Sequence, residues 1–295
     1  MTEQASEIIG FIGLGTMGRP MAMNLTKAGY KVHVPDRASL GNVLRRTSTV
    51  EPDIASVART STVIILMLPD TKDVEEVLFG EQGVCTTELA GKIVIDMSSI
   101  SPTATAAFAA KVEARGARYV DAPVSGGETG AIAGTLTIMM GGPKEAIARA
   151  KPVLERVGNK LTHIGERNGA GQACKLANQI IVASNIQAVA EAFALMERHD
   201  VDLATVRGAL LGGFAASRVL EVHGQRMIDG AFNPGFRIEL HLKDIRLALA
   251  AGAEFGATLP TSSMLEHAFQ TAIDQGAGDK DHSYLMSIAR QNAQS

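Results

Sequence analysis

The chain has no tryptophan, and only 4% of its residues are aromatic. A core in 295 residues must therefore be built from Ala, Val, Ile, Leu and Met, which suits close-packed helices and a parallel sheet buried on both faces. Cysteine is nearly absent. Cys85 and Cys174 stand far apart, which excludes a disulfide framework and any zinc-type Cys/His spacing, so no metal is expected and a cytoplasmic location is. No basic run interrupts a net charge of −3, so nucleic acid is not an expected partner. The start, Met1 to Glu7, is polar and lacks the basic residues and apolar stretch of a secretory signal. No window of about 20 residues is free of polar groups. The most apolar stretch, Leu176 to Met196, carries Asn178, Gln179, Asn185 and Glu191, so no membrane span is expected.

The length predicts two domains at about 150 residues each. Strand and helix signals alternate through the first half. Strands are expected at Ile8–Ile12, Lys31–Val34, Thr62–Leu68, Lys92–Asp96, Arg118–Ala122, Thr135–Met140 and Lys160–Ile164, with helices at Met17–Ala28, Thr103–Arg115 and Lys144–Val157. Continuous apolar strands between amphipathic helices imply a doubly wound, mostly parallel sheet of Rossmann type with right-handed crossovers. The pattern changes at Gly165. A long helix is expected from Gly171 to about Arg198, followed by helices at Leu203–Leu211, Ser217–Ile228, Leu240–Phe255, Ser262–Gln275 and from Asp281 onward. The expected organisation is an α/β Rossmann-type domain, residues 1–166, and an all-α domain, residues 167–295, joined by the long helix. The helical half has more apolar faces than one small domain can bury, so a homodimer or homotetramer is expected.

The first strand runs into Gly13-Leu14-Gly15-Thr16-Met17-Gly18 and then a helix, and Phe11 near the strand end is expected with these six among the cofactor contacts. In that context Gly13 permits the tight turn, Gly15 lets backbone approach a pyrophosphate, and Gly18 lets helix and strand pack closely. The helix N-terminus presents free N–H groups and partial positive charge to the phosphates. Asp36 ends the second strand, where a carboxylate meets the adenosine ribose hydroxyls and repels a 2′-phosphate, which favours NAD. Arg37 pulls toward NADP, which stays open. Met67-Leu68-Pro69 and Ser98-Ser99 follow strand ends on the same crevice and are expected to line the cofactor; loop capping is the plainer role for each.

Two further segments carry chemistry. Ser125-Gly126-Gly127 offers a hydroxyl and bare backbone N–H groups suited to a substrate carboxylate, although an ordinary turn has the same composition. Lys175, Asn178 and Gln179 are spaced to share one face of the long helix. A lysine in a mostly apolar helix calls for a reason, since burying an ammonium is costly. In a cleft it serves as acid or base; otherwise it snorkels to the surface. Lys243 and Asp244, early in a later helix, are plausible cofactor or substrate contacts, and His241 is a rival acid.

The segments Gly13–Gly18, Asp121–Gly127, Gly169–Gln179 and Lys243-Asp244 occur in the order found in the β-hydroxyacid dehydrogenases, and the chain resembles that family from about Ile8 to Ala289. Its motifs Gly126-Gly127-Glu128, Leu176-Ala177-Asn178-Gln179 and Pro234 to Asp244 are most similar to the tartronate semialdehyde reductase subgroup. The resemblance implies NAD(P)-dependent chemistry on a small hydroxy or aldehyde acid. It implies Lys175 as general acid/base, Ser125, Gly126 and Gly127 on the substrate carboxylate, Asn178 on the substrate with Gln179 counted among the substrate contacts, and Lys243 with Asp244 against the cofactor. Many relatives carry a second Asn where Gln179 stands. Residues Ser39–Val50 match poorly and are expected to lie away from the chemistry. Oxidation of 3-hydroxyisobutyrate or another β-hydroxyacid is the alternative within the class. A non-catalytic dinucleotide-binding scaffold and an imine reductase are disfavoured, because Lys175 is present.

Overall fold

The computed structural model describes residues 7–37 and 40–293. The polar segment Met1–Ser6, and Ser39 at the start of the poorly matched stretch, lie outside the described residues. The chain forms two compact units, Met1–Lys175 and Leu176–Ser295.

The first unit contains, in order, β1 (Ile8–Ile12), α1 (Gly18–Lys27), β2 (Lys31–Pro35), α2 (Asn42–Thr47), β3 (Thr49–Glu51), α3 (Ile54–Thr60), β4 (Val63–Leu66), α4 (Thr71–Phe79), β5 (Ile93–Asp96), α5 (Pro102–Glu113), β6 (Arg118–Asp121), β7 (Val124–Ser125), α6 (Gly127–Ala133), β8 (Leu136–Gly141), α7 (Lys144–Leu154) and β9 (Gly158–Gly165). The sheet order is β3-β2-β1-β4-β5-β6-β8-β7, with β9 paired to β8. Strands β1 to β6 run parallel, and β8 is antiparallel to both β6 and β7. The order reverses between β1 and β4, and the crevice beyond the carboxyl ends of such strands is where open α/β sheets hold ligands.

Side chains alternate along these strands and both faces are buried. Ile9, Phe11, Val63, Ile65, Ile93 and Ile95 enter one core, while Ile12, Ile64, Leu66 and Val94 enter another. This period of two explains why the strands read as unbroken apolar runs. The sequence reading lacks α2, β3, α3, α4, α6 and β7. Short length hides most of them, but α4 has a readable start: the Asp70 side chain accepts from Thr71 N–H, and Val74, Val77 and Leu78 follow at helical spacing.

Helix α8 (Ala170–Arg198) crosses the division between the units. The second unit continues with α9 (Leu203–Leu211), α10 (Arg218–Asp229), α11 (Ile238–Phe255), α12 (Pro260–Asp274) and α13 (Leu285–Asn292), and it is helical as expected. By length and mean hydropathy α8 alone among the described helices is sufficient to cross a membrane. Its apolar character has a nearer cause, since Ala183, Ile186, Ala190 and Phe193 are fully buried in the core of the second unit.

Candidate active site

The glycine turn between β1 and α1 shows what each glycine is for. Gly13 has φ +100°, and a Cβ there would lie 2.1 Å from the Met67 carbonyl oxygen. A Cβ on Gly18 would lie 1.8 Å from the Gly13 carbonyl oxygen and 3.0 Å from the Phe11 ring. These two glycines are fixed by close backbone approach within the protein. Gly15 is different: nothing lies within 4 Å of its Cβ position. Gly15 and Thr16 are exposed, Leu14 is buried and Met17 half-buried. No side chain caps the start of α1, and its first turn holds no acidic residue. An open glycine facing uncapped helix N–H groups fits a dinucleotide pyrophosphate. Phe11, expected among the cofactor contacts, is fully buried in the core instead. Its ring supports the turn from beneath Gly18.

At the end of β2 a small hollow is lined by Pro35, Asp36, Arg37, Pro52, Asp53, Ile54 and Gln82. Asp36 and Arg37 are exposed there. The Asp36 carboxylate accepts a 2.8 Å hydrogen bond from Arg45, which also reaches the Arg37 carbonyl at 3.3 Å. The stretch expected to stay clear of the site thus places Arg45 on the Asp36 carboxylate. Sequence reasoning missed it because an exposed arginine in a variable helix carries no pattern.

The loops after β4 and β5 are tied together from behind. Ser98 is fully buried, and its hydroxyl oxygen accepts from Leu68 N–H at 2.9 Å. Its side chain therefore positions the Met67–Pro69 segment and does not face a ligand, contrary to the direct contact expected of it. Met67, Leu68 and Ser99 are half-buried and Pro69 is exposed. Behind Ser98 sits Asp96, which accepts from Ser98 N–H at 3.0 Å and from the Tyr119 hydroxyl at 2.9 Å. Burial pushes the Asp96 carboxyl up to about 6, against the lowering effect of those hydrogen bonds.

Asp121 performs a related task one strand over. Its carboxylate accepts from Gly169 N–H at 2.9 Å and Gln172 N–H at 3.1 Å, so a strand residue caps the start of α8. Burial raises the Asp121 carboxyl, while the backbone N–H groups oppose the shift. Gly171 and Gly141 are needed here, because a Cβ on either would lie within 2.8 Å of the Asp121 carboxylate. Gln172 then donates to the Ser98 carbonyl at 2.8 Å and accepts from Ile100 N–H at 3.1 Å. Asp96, Asp121 and Gln172 were absent from the sequence-based site. A carboxylate ending an apolar strand is the signal that marks the first two.

Lys175 lies one turn further along α8 and is 7% exposed. Ser125 is half-buried and paired with Thr137 across β7 and β8. Gly126 (φ +139°) and Gly127 (φ +61°) are exposed at the start of α6.

In the second unit, Asn178, Gln179, Lys243 and Asp244 form one network. Asn178 donates to Gln179 Oε1 at 2.8 Å, Gln179 Nε2 donates to Asp244 Oδ2 at 2.6 Å, and Lys243 Nζ lies 3.1 Å from Asp244 Oδ1. Asp244 and Gln179 are buried; Asn178 and Lys243 are half-buried. His241 is fully buried, with Nε2 3.1 Å from the Gln179 carbonyl oxygen and Nδ1 2.9 Å from His282 Nδ1. A carbonyl only accepts, so His241 carries its proton on Nε2 and its Nδ1 accepts from His282. His282 Nε2 meets His223 Nε2 at 3.3 Å. Burial, then the adjacent His241, hold His282 well below the usual histidine range, so it stays neutral in this chain of rings. His241 is thus a structural brace for α8, not a rival acid. His223, Asp281 and His282 also bring three possible metal ligands together. The Asp281 oxygens, however, already accept from the N–H groups of Gly235, Phe236 and Ser283 and from the Ser283 hydroxyl, and Arg226 Nε lies 3.4 Å away. That environment favours a hydrogen-bonded junction over a cation site.

Comparison with known proteins agrees with this layout. Residues 8–165 match the family described as the NAD-binding domain of 6-phosphogluconate dehydrogenase. Residues 169–289 match the one described as NAD-binding of NADP-dependent 3-hydroxyisobutyrate dehydrogenase. The chain is 49% identical to 2-hydroxy-3-oxopropionate reductase of Escherichia coli over 279 residues, covering 94% of this chain and 95% of that one. Its structure is similar to Mycobacterium tuberculosis 3-hydroxyisobutyrate dehydrogenase with L-serine, at TM-score 0.86 and 32% identity, covering 97% of this chain and 100% of that one. It is also similar to Psf3 in complex with NADP+ and 2-OPP, at TM-score 0.85 and 25% identity, covering 95% and 99% of the two chains.

Proposed function

The chain belongs to the NAD(P)-dependent β-hydroxyacid dehydrogenases, and we propose that within this family it reduces 2-hydroxy-3-oxopropanoate (tartronate semialdehyde) to D-glycerate, reversibly, with Lys175 as the general acid. The observation that carries the reading is the buried Lys175, on a helix whose start is held by the Asp121 carboxylate. NADH, when bound, would supply the hydride to the aldehyde carbon. As negative charge develops on the aldehyde oxygen, the Lys175 ammonium donates a proton to it, and in the reverse direction the neutral amine takes that proton back. Ser125 Oγ–H and the backbone N–H groups of Gly126 and Gly127 hold the substrate carboxylate, which fixes the orientation of the three-carbon chain. Asn178 contacts the substrate, with Gln179 beside it, and Lys243 with Asp244 lies against the cofactor. Asp36 reads the adenosine ribose and favours NAD, while Arg37 leaves NADP usable.

Residues 1–166 supply the cofactor domain in this reading, and residues 167–295 the substrate and oligomerisation domain. Apolar side chains exposed on the second unit, including Ile181, Leu195, Phe255 and Met264, support assembly into a homodimer or homotetramer, and a monomer by light scattering refutes it. The proposed location is the cytoplasm.

The test compares kcat/KM for 2-hydroxy-3-oxopropanoate, 3-hydroxyisobutyrate and 2-(hydroxymethyl)glutarate, each with NAD(H) and NADP(H). The aldehyde acid is expected to lead; a higher value for another acid overturns the substrate assignment. Lys175→Ala is expected to lose at least about a hundredfold in kcat while still binding NADH. Near-normal turnover in that variant overturns the role of the lysine.

A further inference from the structure

We propose that Gln179 is a positioning residue that transmits the acceptor character of the Asp244 carboxylate to Asn178 and so fixes which end of the Asn178 amide faces the substrate. The inference rests on the reading of Asn178 as a substrate contact. It differs from a direct role of Gln179 on substrate. Gln179 is 4% exposed, and both ends of its amide are engaged within the protein.

The argument is one of donors and acceptors. An ionised carboxylate only accepts hydrogen bonds, so Asp244 Oδ2 must receive the Gln179 NH2 group, and the 2.6 Å contact is a charge-assisted one. The Gln179 oxygen is then the end left to face Asn178. A carbonyl oxygen also only accepts, so Asn178 must turn its NH2 group toward it, at 2.8 Å. Reversing Gln179 would set NH2 against NH2 and oxygen against carboxylate, and reversing Asn178 would set oxygen against oxygen. Asn178 is left with its carbonyl oxygen and one N–H for other partners, in a single orientation. The strut is itself held, since the Gln179 carbonyl accepts from buried His241. A shorter asparagine at this position lacks one methylene and cannot span both partners from the same backbone, which gives a physical reason for glutamine here.

Among the described residues, the charged and titratable groups near the pair include Lys243, 3.1 Å from Asp244 Oδ1, Lys175 one turn earlier on α8, and His241 at the Gln179 carbonyl with His282 behind it. Gln179→Glu sets two carboxylates at the 2.6 Å contact, and they must share a proton to coexist. That shared proton restores the relay, because the bare oxygen of the introduced carboxyl group still accepts from Asn178. Loss of the proton sets the carboxylates against each other. In Gln179→Glu/Asp244→Asn the two groups exchange roles. The amide introduced on α11 donates its NH2 to the carboxylate introduced on α8, whose other oxygen accepts from Asn178. The end of the relay that meets Asn178 is again an acceptor, as it is in the native chain.

The experiment measures kcat/KM against pH for the native enzyme, Gln179→Glu, Gln179→Met, Asp244→Asn and the double variant, using whichever acid of the substrate panel the native enzyme turns over best. Thermal unfolding without cofactor is read alongside. Gln179→Glu is expected to show an added loss of activity as pH rises, reaching at least about tenfold at pH 8. Gln179→Met is expected to lose about as much at every pH. The double variant is expected to recover at least about fivefold over Gln179→Glu at pH 8 and to unfold above it. A Gln179→Glu profile parallel to the native one, or a double variant no better than the product of the singles, overturns the relay. The substrate assignment fails separately, if another acid of the panel leads with the native enzyme.

Discussion

Replacing Gly15 and Gly18 by alanine, one at a time, separates the two demands that the glycine turn satisfies. A methyl group on Gly18 would lie 1.8 Å from the Gly13 carbonyl oxygen, where a relaxed carbon–oxygen contact is about 3.3–3.6 Å. Helix α1 must therefore move outward by roughly 1.5 Å, judged from that same contact distance. Overpacking of this kind costs about 1–3 kcal/mol, a fall in Tm of about 2–10 °C for a unit of this size. A methyl on Gly15 meets no atom within 4 Å, and Gly15 is not among the residues with positive φ. Alanine there removes freedom from the unfolded chain and stabilises by about 0.4–1 kcal/mol, so Tm is expected to hold or rise by about 1–3 °C. The same methyl occupies the space through which a pyrophosphate approaches the backbone. NADH affinity is expected to fall at least about tenfold, or about 1.4 kcal/mol. Scanning calorimetry and NADH fluorescence titration on both variants decide the matter. A Gly15→Ala protein that binds NADH like the native chain refutes the assignment of that open space. A Gly15→Ala protein that loses as many degrees as Gly18→Ala refutes the steric reasoning.

Arg45→Ala leaves the Asp36 carboxylate uncompensated, so the preference for NADH over NADPH in kcat/KM is expected to rise about three- to tenfold, with stability changed by less than about 1 kcal/mol because the pair is exposed; an unchanged cofactor ratio removes Arg45 from the ribose site. Asp96 titrates at about 6 in the fold against 3.8 unfolded, so its contribution to stability is fullest below the unfolded value and is lost as pH rises through 6. Asp96→Asn lacks this loss, so its stability relative to the native protein should grow between pH 4 and pH 7 in urea melts, and a flat difference refutes the buried charge. Asp281→Ala strips the acceptor from three backbone N–H groups and the Ser283 hydroxyl, and is expected to cost about 2–5 kcal/mol, read as a large fall in Tm.

The sheet and most helices were legible because their signals are local and repeated. Strands Ile8–Ile12 and Ile93–Asp96 are apolar on both faces, and α9 shows its start and stop in the run from Asp202 to Gly212. Within the site, the glycine turn was legible because a backbone that approaches itself so closely excludes other residues. Hydrogen-bond destination was not legible. Ser98 looks like any loop serine, and only the folded chain shows that its oxygen is used by Leu68 N–H, 30 residues earlier. Gln172 links Ser98 and Ile100 to the start of α8 across more than 70 residues. Phe11 sits beside the glycine motif in sequence but points into the core, since period two in β1 alternates its side chains between the two buried faces.

Four buried carboxylates share a logic that the ligand-facing residues do not reveal. Asp96 orders Ser98 N–H and the Tyr119 hydroxyl, Asp121 orders the first N–H groups of α8, Asp244 orders the Gln179 amide, and Asp281 orders the turn before α11 together with Ser283. Each carries a desolvation cost that an asparagine would avoid. An asparagine, however, offers a donor and an acceptor, and so permits two orientations of every group bonded to it. An ionised carboxylate permits one. Where the partners are backbone N–H groups, as at Asp121, whose two oxygens take one N–H each, an amide would set its NH2 group against one of them at the start of α8. Where the partner is another amide, as at Asp244, only the charge sets the direction. Removing charge while keeping shape should therefore lower kcat/KM with little change in Tm at Asp244, and lower Tm at Asp121, where a buried N–H loses its acceptor. A fall in Tm in Asp244→Asn with kcat/KM unchanged would show that burial, and not direction, is what this carboxylate contributes.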